Sequence, residues 1–513
     1  MTESFEELKA QVDERVKREA ATKPPEADPK KLTPFFIQEC VNAHMAGLGL
    51  LYSHINQDAV IFVSELGEWY CWNGHCWGLD VEQRALVLVE KIVDTLITEL
   101  QRIDGLIYSL IKDGSEQTKE LQKVRRDIIR AIKICRSEHG RQDILKFAAA
   151  GLMSLRVSNS QFDKNPYLIP CPNGVLDVRT GYLYPGRQDE FLSRMCPTEY
   201  KGLHEPAPLW TKSIREILSE NDQLYDYVWK LFGSTLIRKS KPAILPILYG
   251  KGRNGKSFLI ETVADVLGPL AAAMSSNVLL DTGFARSSSG PSPDIMSFLG
   301  VLMIFASECD EGRHFSMAKT KWLTGNDTLV GRNPHDKRET RFKPTHTVFY
   351  VTNNLPAASA DDFAAWERFR IVPFLLSYVD RQPLSDNERR ADMDLPTKIK
   401  SEYSGILSWL VQGCIKYQQE GLDAPHIVKA ATIDYKSDQD LAGDFIAECC
   451  DIEDGLEVFS ADIYKSFEEW FSINEGGKKI PSQRWLGLRL RKKGFAKYSS
   501  GGKRCYKGIS LKG

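Results

Sequence analysis

No stretch of this sequence stays apolar long enough to cross a bilayer. The longest strongly apolar run near its middle, Phe298 to Ala306, falls far short of the roughly 20 residues a spanning helix needs. Residues 1 to 31 are charged and contain no apolar h-region, so nothing there reads as a secretory signal. The 11 cysteines are odd in number and lack framework spacing, which excludes a disulfide-stapled scaffold and points to reduced thiols in a cytosolic setting. Net charge is only −1, so an argument for nucleic-acid binding has to come from local charge. No internal repeat is visible, which removes solenoids and propellers. What remains is a soluble globular chain of 513 residues, 42% apolar and 26% charged, too long for a single core.

Residues 1–33 read as a charged, flexible N-terminus ending in a Pro-rich linker. Residues 34–205 read as a mixed α/β domain. Aromatic residues flank Asn73-Gly74 in a hairpin pattern. Val81 to Ile103 and Glu116 to Ile134 have helical character, and Asn173 to Tyr184 reads as two short strands across a turn. Residues 206–240 form an amphipathic helical collar. From 241 to 385, short apolar runs alternate with helical stretches, the pattern of a parallel sheet with crossover helices. Residues 386–442 are a helical extension, and 443–513 combine short helices with a final hairpin.

The strongest chemical signal is Gly250-Lys251-Gly252-Arg253-Asn254-Gly255-Lys256-Ser257, which follows a buried-strand run and opens a helix. Glycines let the backbone curl so that its N–H groups face phosphate oxygens, and the helix N-terminus adds its positive end. Lys256 then reaches the β- and γ-phosphates of ATP, and the Ser257 hydroxyl binds Mg²⁺. A second strand run ends in Ser307-Glu308-Cys309-Asp310-Glu311. Glu308 is the acid expected on the Mg²⁺ side, and Asp310 or Glu311 is expected to polarise the attacking water. A third strand run ends at Asn353, placed to sense the γ-phosphate. Arg368 follows, in the position of an arginine presented to a neighbouring subunit.

In this order, with Lys321 to Asp327 between the acids and Asn353, these motifs resemble superfamily 3 helicases, specifically the poxvirus and phage/plasmid primase-helicase family. Asn173-Gly-Val-Leu-Asp177 resembles the domain that precedes the family's helicase, and Phe495 to Leu511 resembles its C-terminal winged helix. The resemblance covers most of the chain from about residue 50. It implies an α/β fold with an AAA+-like P-loop core and a homo-hexameric ring moving on single-stranded DNA, generally 3′ to 5′. It also implies Glu308 as the motif B acid, Asn353 as sensor 1 and Arg368 as the arginine finger. Cys309 separates Glu308 from Asp310, a departure that leaves the catalytic base open. No acidic primase triad is visible before the collar, so no primer synthesis is expected, and a separate primase or polymerase becomes a natural partner.

DNA contact is expected at two places. A hairpin between Asp327 and Pro344 carries Arg332, His335, Lys337, Arg338, Arg341 and Lys343 for phosphates. The segment from Lys478 to Gly513 has 12 Lys or Arg and no Asp or Glu, which makes Arg484, Arg489, Arg491, Lys492, Lys493, Lys503, Arg504 and Lys507 candidates. The same basic module supports two other readings: an origin-binding initiator or loader that uses nucleotide only to assemble, and, more weakly, a remodeller of protein. Cys71, His75 and Cys76 read as hairpin residues, because no second pair completes a zinc set; Cys449-Cys450 reads as a detail of a helix or loop.

Overall fold

A computed structural model describes residues 32–512 except 111–115, 152, 240–241, 282–291, 308–312, 335–338, 360–361, 475–479 and 501–502. The chain forms two compact units, one from the residues up to Phe162 without 74–76, and one from 74–76 and Asp163 onward. Among the described residues, no helix is long and apolar enough to cross a membrane.

The first unit packs the helices Pro34–Asn42, His44–Asn56, Glu90–Leu110, Glu116–Cys135 and Glu138–Ala150 around one apolar core. A four-stranded sheet completes it, with the aromatic hairpin paired Trp72 to Trp77. Helix starts follow local chemistry: Thr33 and Ser137 accept backbone N–H groups of Phe36 and Gly140 from the N-cap position. The helix expected over Val81 to Ile103 is instead two, Arg84–Val87 and Glu90–Leu110. The Asp80 carboxylate accepts from the amides of Arg84 and Ala85 at 2.7 and 2.8 Å, so the first helix begins there. Gln83 sits at φ +56°, outside it.

The second unit is built on a five-stranded parallel sheet: β1 (Leu245–Tyr249), β2 (Ala271–Met274), β3 (Met303–Ser307), β4 (Thr347–Thr352) and β5 (Phe369–Pro373). Their spatial order is β5-β1-β4-β3-β2. Tyr249 pairs with Thr352 and Pro373, and Ser307 with Val351, so these C-terminal ends meet on one edge. Strand β1 lies between β4 and β5 while its chain continues toward β2. That reversal of direction is a topological switch point, where open α/β sheets bind ligands.

Packing divides the segment 34–205, which the sequence groups together, at Phe162. The small sheet of Leu168–Cys171, Gly174–Asp177 and Tyr182–Tyr184 belongs to the second unit. Its Ile169, Cys171, Leu176 and Val178 share a core with Trp210, Ile214, Val228 and Val263, so burial joins this segment to the collar helices Pro208–Ile217 and Asp222–Ser234. The end of the chain has its own core. There the helices Leu441–Cys449, Ser460–Asn474 and Gln483–Lys492 pack on a sheet in which Lys503–Lys507 lies between Glu457–Phe459 and Lys497–Ser500.

Candidate nucleotide site

The glycine loop leaves the C-terminal end of β1 and enters helix α1 (Lys256–Leu267), as the sequence implies. Gly252, Arg253 and Gly255 all have positive φ, +96°, +46° and +82°. Two contacts explain why two of the loop positions are glycine. A Cβ on Gly250 would collide with the Phe374 carbonyl and the Asn254 amide, and one on Gly255 would lie 2.6 Å from Ile217 Cδ1. At Gly252 the space is open, its nearest neighbour being Asn353 Oδ1 at 4.0 Å from a built Cβ. The loop is therefore packed from behind and open in front. No side chain caps the first turn of α1, so its positive end faces the same opening.

Lys256 is only 4% exposed. Its ammonium donates to Gly250 O at 2.8 Å, Asn254 Oδ1 at 2.7 Å and Asn353 Oδ1 at 2.9 Å. The third bond brings together two residues 97 apart, one from the loop after β1 and one from the end of β4. These three acceptors are neutral, and exchanging them for phosphate oxygens would give the ammonium charge-assisted bonds. Asn254 Nδ2 is also buried and has no hydrogen-bond partner among the described residues. The donor set and the open cradle fit a phosphate group. Ser257 is exposed at the start of α1. Glu308, Asp310 and Glu311 lie outside the described residues; β3 carries the chain to Ser307, on the edge where the glycine loop begins.

Other segments brace the loop. The Tyr378 amide donates to Arg253 O at 2.6 Å, and its hydroxyl donates to Glu216 at 2.9 Å. Burial, then the hydrogen bond to Glu216, holds the Tyr378 phenol well above its ordinary range. Lys251 and Arg253 point to solvent.

Arg368 stands at the other edge of the sheet. Its carbonyl accepts from Leu245, the first residue of β1. Its Nη1 donates to Thr324 Oγ1 at 3.2 Å, while Nε is buried without a partner among the described residues. The helix leading to it, Phe363–Trp366, is capped by Asp362, which pairs with Lys321 at 2.8 Å. The Lys321 hydrogen bond, partly offset by burial, holds the Asp362 carboxyl below its ordinary range. Sequence reading missed this clamp; Asp362 at an N-cap three residues before Ala365 was the available signal.

The basic candidates divide. Leu329–Gly331 pairs with Thr340–Phe342 as expected for the hairpin, and the Arg332 backbone is tied to Ser292. His335, Lys337 and Arg338 lie outside the described residues. In the C-terminal helix Gln483–Lys492, Arg484, Arg491 and Lys492 are exposed. Arg489 instead stacks on the Trp485 ring at 3.7 Å, and Lys493 forms an ion pair with Asp440. Those two are engaged within the chain, Arg489 by an aromatic ring of its own helix and Lys493 by the residue that caps helix Leu441–Cys449. Arg504 and Lys507 are exposed on the strand Lys503–Lys507.

A strand, a glycine loop and a helix at the switch point of a parallel sheet, with a lysine buried where the loop enters the helix, make this a mixed α/β protein whose loop fits a phosphate group. The family model described as D5 N terminal like matches residues 49–219. A protein of Acanthamoeba polyphaga mimivirus named as a helicase is 26% identical over 429 residues, spanning 80% of this chain and 44% of its own. One of Invertebrate iridescent virus 3, also named as a helicase, is 25% identical over 472 residues, spanning 80% and 48%. A protein of African swine fever virus named as a primase is 24% identical over 342 residues, spanning 62% and 34%. The chain thus spans less than half the length of these relatives. Among solved structures, the apo C-terminal region of NrS-1 covers 60% of this chain and 78% of its own, at 12% identity and a TM-score of 0.35. The chain is therefore similar to D5-type proteins over residues 49–219 and, along most of its length, to viral proteins named as helicases and primases.

Proposed function

We propose that this chain is the ATP-driven motor of a DNA-replication helicase of superfamily 3, with an AAA+-like core and a C-terminal winged-helix module. The observation that carries the reading is Lys256: buried, held by three neutral acceptors, and linking the glycine loop to Asn353 across two adjacent strands. Phosphate oxygens replace those acceptors when ATP binds. Asn353 is then free to turn toward the γ-phosphate or the attacking water. Ser257 and the acid after β3, Glu308, are the residues that would hold Mg²⁺, which supplies charge neutralisation on the phosphates. Asp310 or Glu311 would orient the water.

Arg368 acts on another subunit's nucleotide in this reading. It sits a full strand away from its own loop, about 16 Å at about 3.3 Å per residue. A ring, hexameric by the family resemblance, puts that edge against a neighbour's cradle. The hairpin at Leu329–Phe342 faces single-stranded DNA in the channel. The C-terminal module contributes contacts through Arg484, Lys492 and Arg504, the wing spanning the strands 497–507. The helicase names of the viral relatives support this assignment.

The test is DNA-stimulated ATP hydrolysis and unwinding of a forked substrate by the purified chain. Lys256→Ala is expected to abolish both. A wild-type preparation that ignores ATP with and without single-stranded DNA would overturn the reading. Hydrolysis and duplex-origin binding without unwinding would favour an initiator or loader.

A further inference from the structure

The helix Glu116–Cys135 of the first unit has a face that the nucleotide chemistry does not use. Lys119, Lys123, Arg126, Arg130 and Lys133 follow one another at intervals of four, three, four and three residues, and all five are exposed. At 3.6 residues per turn they fall within an arc of about 80° and extend along about 21 Å of helix axis. No Asp or Glu lies inside that arc. Among the described residues, Lys119, Lys123, Arg126 and Lys133 form no ion pair, and Arg130 reaches only Asp127, at 3.5 Å. The opposite face is spent on folding: Leu121, Val124, Ile128, Ala131, Ile132 and Cys135 pack into the unit's core.

A helix surface selected only for solubility interleaves charges, because opposite signs at i,i+4 stabilise it and like signs destabilise it. Here each successive neighbour along the face is a like charge, a local rule broken with only the Arg130–Asp127 pair to offset it among the described residues. A ligand that supplies a row of negative charges removes the conflict. A membrane surface is the weaker match. A helix lying in a bilayer interface buries an apolar face there, and this helix has already buried its own in the core. The phosphodiester backbone of a nucleic acid needs no apolar partner and repeats its charge about every 3.4 Å per strand, so 21 Å meets about six phosphates.

We propose that the exposed face of helix Glu116–Cys135 is a nucleic-acid backbone-binding surface, through Lys119, Lys123, Arg126, Arg130 and Lys133. This goes beyond the motor reading and does not depend on ATP. It adds to the first unit a contact that positions the polymer without reading sequence.

The experiment compares the full chain with a variant carrying Lys119→Gln, Lys123→Gln, Arg126→Gln, Arg130→Gln and Lys133→Gln together. Labelled single-stranded and duplex DNA are titrated without nucleotide between about 50 and 200 mM salt. Glutamine suits an exposed helix, so circular dichroism should match wild type. The slope of log K against log salt is expected to become shallower by up to about 3.5 on single strands or about 4.5 on duplex. The polymer with the larger change is the one the face binds. Replacing the three lysines by arginine should preserve the wild-type slope. A change of less than about two on both polymers overturns the proposal, as does loss of binding to anionic vesicles with the DNA slopes intact. Repeating the comparison in a Lys256→Ala background separates this surface from the motor: the slope difference should persist even where hydrolysis is lost.

Discussion

The two edges of the five-stranded sheet each carry one cation that the proposed function uses, and the chain treats them differently. At the C-terminal edge Lys256 has all three ammonium hydrogens satisfied by its own chain. At the N-terminal edge Arg368 makes one side-chain bond, to Thr324, and keeps a buried Nε unpartnered among the described residues. Buried donors are nearly always paired in native proteins. On the proposed reading the first edge works within a single chain, and the second is finished by a further subunit. The difference teaches where to expect dependence on assembly: at Arg368 and not at Lys256.

That contrast can be broken by kinetics. Arg368→Ala should lower kcat for ATP hydrolysis by about 10³–10⁵, the range for an arginine finger. Mixing it with Lys256→Ala subunits should restore turnover, because each mutant supplies what the other lacks. If Arg368→Ala hydrolyses ATP normally at every protein concentration, the edges do not differ in this way. Lys256→Ala should reduce kcat by at least about 10²–10³, comparable with loss of one transition-state donor. Its effect should not depend on protein concentration below saturation of the assembly. A Lys256→Ala protein whose loss varies with concentration would erase the distinction.

The packing behind the loop gives a smaller effect. Gly255→Ala requires a residue at φ +82° and pushes a methyl group against Ile217. The backbone conformation alone costs about 1–2 kcal/mol. Chemical denaturation should show that loss in the second unit. Gly252→Ala has similar backbone strain, +96°, but open space, so the difference between the two variants measures the collision. Equal losses would mean that Ile217 yields freely.

These edges were unequally legible in the sequence. The loop was readable because β1, the glycines and α1 are contiguous, so each local pattern implies the next. Asn353 was readable at the end of a strand run and received its sensor role from the family resemblance, but its bond to Lys256 follows only once β4 is known to lie beside β1. The role of Ile217 was hidden, because it reads as one more apolar position on an amphipathic helix. The division at Phe162 was hidden for a related reason. Ile169 and Leu176 acquire their meaning from Trp210 and Val263, far along the chain, and no local pattern announces that partnership. The cations of helix Glu116–Cys135 were visible throughout, but reading the segment simply as helical left their common face unremarked. The acids after β3, which the sequence marks clearly, fall among residues outside those described.

The smallest expected effect tests how the N-terminal edge is held. Asp362 caps the helix before Arg368 and accepts a hydrogen bond from Lys321, with the two side chains 26% and 36% exposed. A pair this open to solvent contributes at most about 1 kcal/mol. Because the Asp362 pKa is depressed in the folded chain, its contribution is fully present above the ordinary carboxylate value, about 3.9, and disappears as pH falls through the depressed value. Asp362→Asn should therefore melt slightly below wild type by a constant margin from about pH 5 to 8, and the two curves should converge only below about pH 4. Convergence already near neutrality would assign the pH dependence to another group. Asparagine retains much of the capping bond while losing the charge, so Asp362→Ala should cost more than Asp362→Asn at every pH. If the clamp also orients Arg368, both variants should lower kcat in assembled protein while leaving KM for ATP nearly unchanged, since the cradle at the opposite edge is intact. A rise in KM with unchanged kcat would show that the two edges are coupled through the sheet after all.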